Sequence, residues 1–321
     1  MRSSHSTPSN PIADFLAQRP LLILDGALAT ELERRGADLR DALWSAKSLI
    51  EQPELIKDVH RDYFDAGADV ATTATYQASF EGFARRGLDA TRAAQLMRFA
   101  VALGVAARDE FWAIPANRRG RLRPLVAASV GPYGAMLADG SEYRGHYSID
   151  EQGLRDFHRS RLAVLADSGA DLLAFETIPS LGEALALAAV LEEFPQTTAW
   201  MSFACRDGES TCEGQGIGEC AARLSGYGQI AAIGVNCTAP EHVASLLARL
   251  RASTPKPLLA YPNSGERYDA VDKRWLERGA PHDFAAAART WYAAGARLIG
   301  GCCRTSPRDI RAIKAWEAAL A

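Results

Sequence analysis

A chain of 321 residues, 48% apolar and with a net charge of −3, can bury one large core, and α/β barrels of this length fold as a single unit. The near-neutral balance lacks the basic footprint of a nucleic-acid or anionic-membrane partner, and no apolar run approaches the roughly 20 residues of a membrane helix. Six cysteines without regular spacing make no disulfide framework, so the composition points to small-molecule chemistry in a reducing cytoplasm.

Residues 1–11, rich in Ser, Pro and Asn and without the apolar core of a signal peptide, read as a disordered tail ahead of one domain over 12–321. The run Leu21-Leu22-Ile23-Leu24 then closes on Asp25-Gly26, with a helix from Ala27 to Arg35 behind it. Residues 53–66 have helical spacing with Pro53 in the first turn, and lead to a strand at Val70–Thr75. A long amphipathic pattern, Ala90 to Trp112, precedes a third strand at 124–130. Gly131 to Tyr147 is longer than an ordinary βα loop, a property of functional loops. Helix 150–168, strand 172–176, helix 180–194 and strand 198–203 follow, then a short helix at 218–224, a strand at 231–236 and helix 240–252. The strand at 257–261, helix 282–294, the strand Arg297 to Ile299 and a helix from Pro307 complete the chain. Eight apolar runs alternating with about eight helices match a (β/α)8 TIM barrel. A doubly wound sheet lacks its Gly-x-Gly-x-x-Gly signature after the first strand.

In a barrel the C-terminal strand ends share one face, where active sites lie. The residues placed there are Asp25, Thr75, Ser129, Glu176, Asn236-Cys237, Asn263 and Cys302-Cys303. A disulfide between the adjacent cysteines is disfavoured, because neighbouring Cα atoms are about 3.8 Å apart and unstrained disulfides span roughly 4.4–6.8 Å. On a regular strand the two thiols also point to opposite faces. Gly300 and Gly301 are read as the residues whose unusual dihedrals bring both sulfurs to one point. Together with Cys237 they form a three-thiolate claw suited to zinc, leaving one position of a tetrahedral site for substrate. Iron–sulfur ligation would normally use a fourth protein ligand, for which Cys205, just past the fifth strand, is the remaining cysteine near a strand end. Cys212 and Cys220 read as inert. His60, His158, His242 and His282 fall in helical patterns and read as solvated residues outside the barrel.

Gly234-Val235-Asn236-Cys237 with Gly300-Gly301-Cys302-Cys303, preceded by Leu24-Asp25-Gly26 and Phe175-Glu176-Thr177, resembles the zinc-dependent homocysteine S-methyltransferases. The likeness is closest to their short, stand-alone branch. Leu43-Trp44-Ser45-Ala46, Thr73 to Ser79, Ser129 to Ala135, Asp139 to Tyr143 and Tyr261 to Glu266 carry it further. The resemblance implies a zinc ion on Cys237, Cys302 and Cys303, homocysteine as methyl acceptor, and S-methylmethionine or S-adenosylmethionine as sulfonium donor. A betaine-using relative, a zinc or thiol sensor without turnover, and a zinc hydrolase are the other readings open at this point. Under the resemblance, Asp25 and Glu176 would hold the substrate ammonium, the backbone amides of Gly26 and Ala27 its carboxylate, with Thr75 a further contact and Asn236 orienting its neighbours. Trp44, Tyr76, Tyr133 and Tyr143 are the aromatic candidates for the donor cation.

Overall fold

The computed structural model describes residues 10–38, 44–265, 267–269, 274–276 and 283–320. Its strands are β1 (Leu22–Ile23), β2 (Val70–Thr72), β3 (Leu125–Val130), β4 (Leu172–Ile178), β5 (Ala199–Phe203), β6 (Ile230–Asn236), β7 (Leu258–Tyr261), β8 (Arg267–Asp269), β9 (Arg274–Leu276) and β10 (Ala296–Ile299). Eight of them form one sheet in the order β1-β10-β7-β6-β5-β4-β3-β2, all pairs parallel. With a helix between most successive strands, this is the (β/α)8 barrel expected. β8 and β9 form a separate antiparallel hairpin between β7 and β10.

The strands are nearly continuous apolar runs because both faces are covered. β4 and β6 are buried at every position. One set of side chains, including Leu22, Val70, Leu172, Trp200 and Leu298, fills the barrel. The alternate set, including Ile23, Leu173, Met201 and Ile299, packs under the helices.

No backbone ladder joins β1 to β2, and two aspartates stitch this seam. Asp69 donates its amide to Ile23 O (2.7 Å) and accepts the Ile23 amide on Oδ2 (3.1 Å). Asp25 accepts the Thr72 amide on Oδ2 (2.7 Å) and the Thr72 hydroxyl on Oδ1 (2.9 Å). The recurring helix-to-strand turns place Gly67, Gly169 and Gly295 at φ values of 113°, 88° and 115°, where any side chain is strained.

Several elements differ from the sequence reading. Asn10 caps a helix, Pro11–Leu16, by accepting the Ala13 amide, so structure begins inside the stretch assigned to the tail; residues 1–9 lie outside the described residues. Ile12 and Phe15 of that helix join the barrel-filling cluster beside Leu22, Val70 and Leu172, which lie at the N-terminal ends of their strands, and so plug the mouth opposite the site. The long segment after β3 contains a helix, Tyr133–Leu137, and a 3-10 turn, Ser141–Tyr143. His60 and His158 are fully buried rather than solvated. His60 shares the inward stripe of its helix with Ile56, Val59 and Tyr63, and burial pushes its ring down to about 4. His158 Nε2 lies 2.9 Å from Glu183 Oε1, both without exposure. His242 is half-buried, and His282 lies outside the described residues. Among the described residues, no helix is long and apolar enough to cross a membrane.

Candidate active site

The segment after β10 is pinned between the ends of β1 and β7. The Gly300 amide donates to Ala260 O (3.1 Å), Gly301 to Asp25 O (3.0 Å) and Cys302 to Pro262 O (2.8 Å), while the Ser264 amide donates to Cys303 O (3.0 Å). The paired glycines serve close approach rather than unusual dihedrals, since neither has a positive φ. A Cβ on Gly300 would lie 2.5 Å from Leu24 Cβ and 2.7 Å from Asp25 O, and one on Gly301 would collide with Thr305. The left-handed backbone falls instead on Cys237 (φ 45°) and Arg304 (φ 68°). Leaving strand geometry at Cys237 turns its thiol across the mouth towards the claw.

The Sγ atoms of Cys237, Cys302 and Cys303 lie within 4.8 Å of one another. Cys237 and Cys302 are joined as a disulfide, with Cα atoms 5.6 Å apart, and Cys303 Sγ is 3.8 Å from Cys237 Sγ. Sulfurs on one tetrahedral zinc with bonds of about 2.3 Å stand about 3.8 Å apart, so the reduced trio fits a metal ion. Burial pushes the Cys303 thiol up to about 11, offset in part by the Tyr143 hydroxyl, which donates to it. Cys205 belongs to the apolar core and is not part of the trio. Burial pushes Cys212 and Cys220 up to about 12.

Beside the thiols, Asp25 and Glu176 are buried. Burial first, then the charge of Glu176, pushes Asp25 up to about 8, against the hydrogen bonds from Thr72. Burial pushes Glu176 up to about 7, against donation from Ser129 and Tyr261. The Ser129 hydroxyl donates to Glu176 Oε1. Tyr261 donates to Oε2 (3.1 Å) and receives the Trp200 indole N–H (3.1 Å). The side chains that hold the two carboxylates are neutral, Thr72 for Asp25 and Ser129 and Tyr261 for Glu176, and neither carboxylate forms a salt bridge among the described residues. Two buried carboxylates without a counter-ion are costly until a cation joins them.

The other expected acceptor residues surround this pair. Ala27, the cap of helix Leu28–Arg34, donates its amide to Thr305 Oγ1 (3.3 Å). Gly26 is held against Tyr63 and Thr305, where a Cβ would lie 2.9 Å from each. Thr75 is fully buried and its hydroxyl donates to Ser129 O (2.7 Å), which makes it part of the wall. Asn236 acquires a partner that the sequence did not reveal. Its Oδ1 accepts the Thr177 amide (2.7 Å), its Nδ2 donates to Thr177 Oγ1 (2.8 Å), and Nδ2 lies 3.9 Å from Cys302 Sγ. The clamp holds Thr177 at φ 62°, a conformation costly for a β-branched residue.

Of the aromatic candidates, Tyr143 meets Cys303 and the Tyr76 phenol meets Thr177. The Tyr76 carbonyl accepts from the Gly131 amide (3.1 Å) and from buried Arg161 (3.2 Å). Tyr133 is engaged elsewhere, its ring packing edge-on at 5.4 Å from Tyr147 and 5.1 Å from Phe157. Trp44 opens the helix Trp44–Glu51, and its side chain lies outside what is described. Thr72, Thr177, Trp200, Tyr261 and Arg161 escaped the sequence reading as site residues. The inward register of Trp200 and Tyr261 on β5 and β7 was the signal available.

A parallel (β/α)8 barrel that gathers three thiols and two unpaired carboxylates at its C-terminal mouth has the make-up of an enzyme with a thiol-held metal centre. Residues 22–316 match the family described as homocysteine S-methyltransferase, and the chain belongs to that family. It is 54% identical over 311 residues to the homocysteine S-methyltransferase YbgG of Bacillus subtilis, covering 97% of this chain and 99% of that one. It is 50% identical to the homocysteine S-methyltransferase of Escherichia coli, over 96% and 98% of the two chains. Among solved structures it resembles the homocysteine methyltransferase MmuM from Escherichia coli. The metallated form superposes with a TM-score of 0.87 at 48% identity, and the oxidised form with 0.86 at 47%, each over 96% of this chain and all of that one.

Proposed function

We propose that this methyltransferase makes methionine by moving a methyl group from a sulfonium donor, S-methylmethionine or S-adenosylmethionine, to homocysteine, with zinc held by reduced Cys237, Cys302 and Cys303. The observation that carries the proposal is the convergence of these three sulfurs within 4.8 Å beside two buried carboxylates without a counter-ion. Bound zinc would act as a Lewis acid that lowers the pKa of the homocysteine thiol, so that thiolate is present at neutral pH.

The chain's own residues bind and orient. Asp25 and Glu176 receive the substrate ammonium, whose charge offsets the burial that otherwise favours their protonated forms. Thr72 holds the Asp25 carboxylate through two hydrogen bonds, and Ser129 and Tyr261 hold Glu176. The amide of Gly26, ahead of the helix, would take the substrate carboxylate, whereas that of Ala27 is already engaged by the Thr305 hydroxyl. Asn236 and Thr177 shape the backbone behind the thiols, and Tyr76 and Tyr143 offer their faces to the donor cation. The homocysteine thiolate supplies the electron pair of the new S–CH3 bond. The pair of the breaking bond stays on the donor sulfur, which leaves as a neutral thioether and needs no general acid.

Methionine formation from homocysteine, followed with S-methylmethionine, S-adenosylmethionine or betaine, with and without a chelator, tests this reading. Turnover with a sulfonium donor that stops on chelation is expected. Turnover with betaine alone, or none with either sulfonium donor, would contradict it.

A further inference from the structure

Glu142 lies in the 3-10 turn Ser141–Tyr143, between the tyrosine that meets Cys303 and the helix Tyr133–Leu137. The turn is held rigidly. Asp139 Oδ1 accepts the Ser141 amide (2.9 Å), and a Cβ on Gly134 would lie 2.7 Å from the Ser141 carbonyl carbon. One hydrogen bond to the Glu142 carboxylate comes from its own backbone amide. Its Oε2 is buried with no hydrogen-bond partner among the described residues. Arg144, the cation that acts on it, is already committed to Asp139, at 3.8 Å from its carboxylate and 3.3 Å from its carbonyl. The charge of Glu142 is felt at Tyr143, Tyr76 and Cys303, that is, along the side of the mouth where Tyr143 meets Cys303 and Tyr76 meets Thr177.

A buried carboxylate oxygen without a partner is costly unless the ligand satisfies it. A sulfonium has no N–H or O–H to donate, so a site for it needs negative charge and aromatic faces rather than a set of acceptors in hydrogen-bonding positions. We infer that Glu142 is the anionic contact for the donor's sulfonium centre, completing with Tyr76 and Tyr143 a subsite that selects a cationic methyl donor. This rests on the methyl-transfer reading above. The direction of its effect follows from the charge change in the reaction. The donor enters as a cation and leaves as a neutral thioether, and the transition state has already lost part of the charge. A carboxylate at this place therefore stabilises the bound donor more than the transition state, so it lowers the donor KM without raising kcat, and it releases the neutral product.

Steady-state kinetics of the zinc-loaded enzyme with homocysteine and S-methylmethionine test this in Glu142→Gln and Glu142→Asp. Loss of a charged contact predicts a donor KM raised about tenfold to a hundredfold in Glu142→Gln, with kcat unchanged or raised and the homocysteine KM unchanged. Glu142→Asp, which keeps the charge, should fall between that variant and the parent. A donor KM unchanged in Glu142→Gln overturns the inference. So does a joint rise of both KM values with a lowered Tm, which would mark Glu142 as a structural brace, or a fall in kcat with no change in the donor KM. Failure of the unsubstituted enzyme to form methionine with either sulfonium donor would instead sink the methyl-transfer reading itself.

Discussion

Asp25 carries two duties with one carboxylate. It closes the β1–β2 seam through Thr72 and, in the function proposed, receives the substrate ammonium. The sign of its pH effect follows from its position. Its carboxyl is raised from 3.8 to about 8 in the folded protein, so between those values the folded chain holds a proton that the unfolded chain has released. Stability from this group is therefore lost as pH rises through that window, by up to about 1.4 kcal/mol per pH unit. Urea unfolding of the reduced, metal-free protein at pH 5, 6 and 7 should show a shallower decline in Asp25→Asn than in the parent. Parallel declines would remove Asp25 as a titrating group. Asp25 and Glu176 were legible in the sequence because a carboxylate ending an apolar run stands out. The Asn236–Thr177 clamp and the Trp200–Tyr261–Glu176 chain were not, because they join residues 59, 61 and 85 positions apart, from different strands of the barrel. Local pattern carries no trace of such pairs. His60 and His158 were misread for a related reason, since helical spacing alone does not say which face of a helix meets the barrel.

At the scale of elements, the claw depends on two strand ends passing each other at backbone contact. Gly300→Ala places a methyl group 2.5 Å from Leu24 Cβ and 2.7 Å from Asp25 O, and backbone cannot give way as a flexible side chain can. The expected outcome is a loss of about 1–3 kcal/mol in urea unfolding, together with loss of bound zinc by elemental analysis. A variant that binds zinc normally would show that the claw tolerates displacement. The barrel strands were readable because each is buried on both faces and so appears as an uninterrupted apolar run. The five-residue helices Phe80–Ala84 and Tyr133–Leu137 are too short for a hydrophobic period to show. The hairpin of β8 and β9 has no long apolar run to announce it.

At the scale of the whole molecule, the barrel separates its duties by face. The helix Pro11–Leu16 seals the N-terminal mouth with Ile12 and Phe15, while the chemistry gathers at the other mouth. Phe15→Ala should cost about 3–5 kcal/mol in urea unfolding and leave both KM values unchanged, because the opposite layer of the barrel filling is undisturbed. A shift in either KM would mean that the two faces are coupled through the interior. The central claim, that three thiols form the metal centre on which methyl transfer depends, is tested most directly by counting zinc and measuring methionine formation in the same reduced samples. The comparison is between the unsubstituted enzyme and Cys237→Ser, Cys302→Ser and Cys303→Ser. One zinc per chain with turnover in the parent, and loss of both in each variant, is the predicted result; undiminished methionine formation in a zinc-free variant would contradict it.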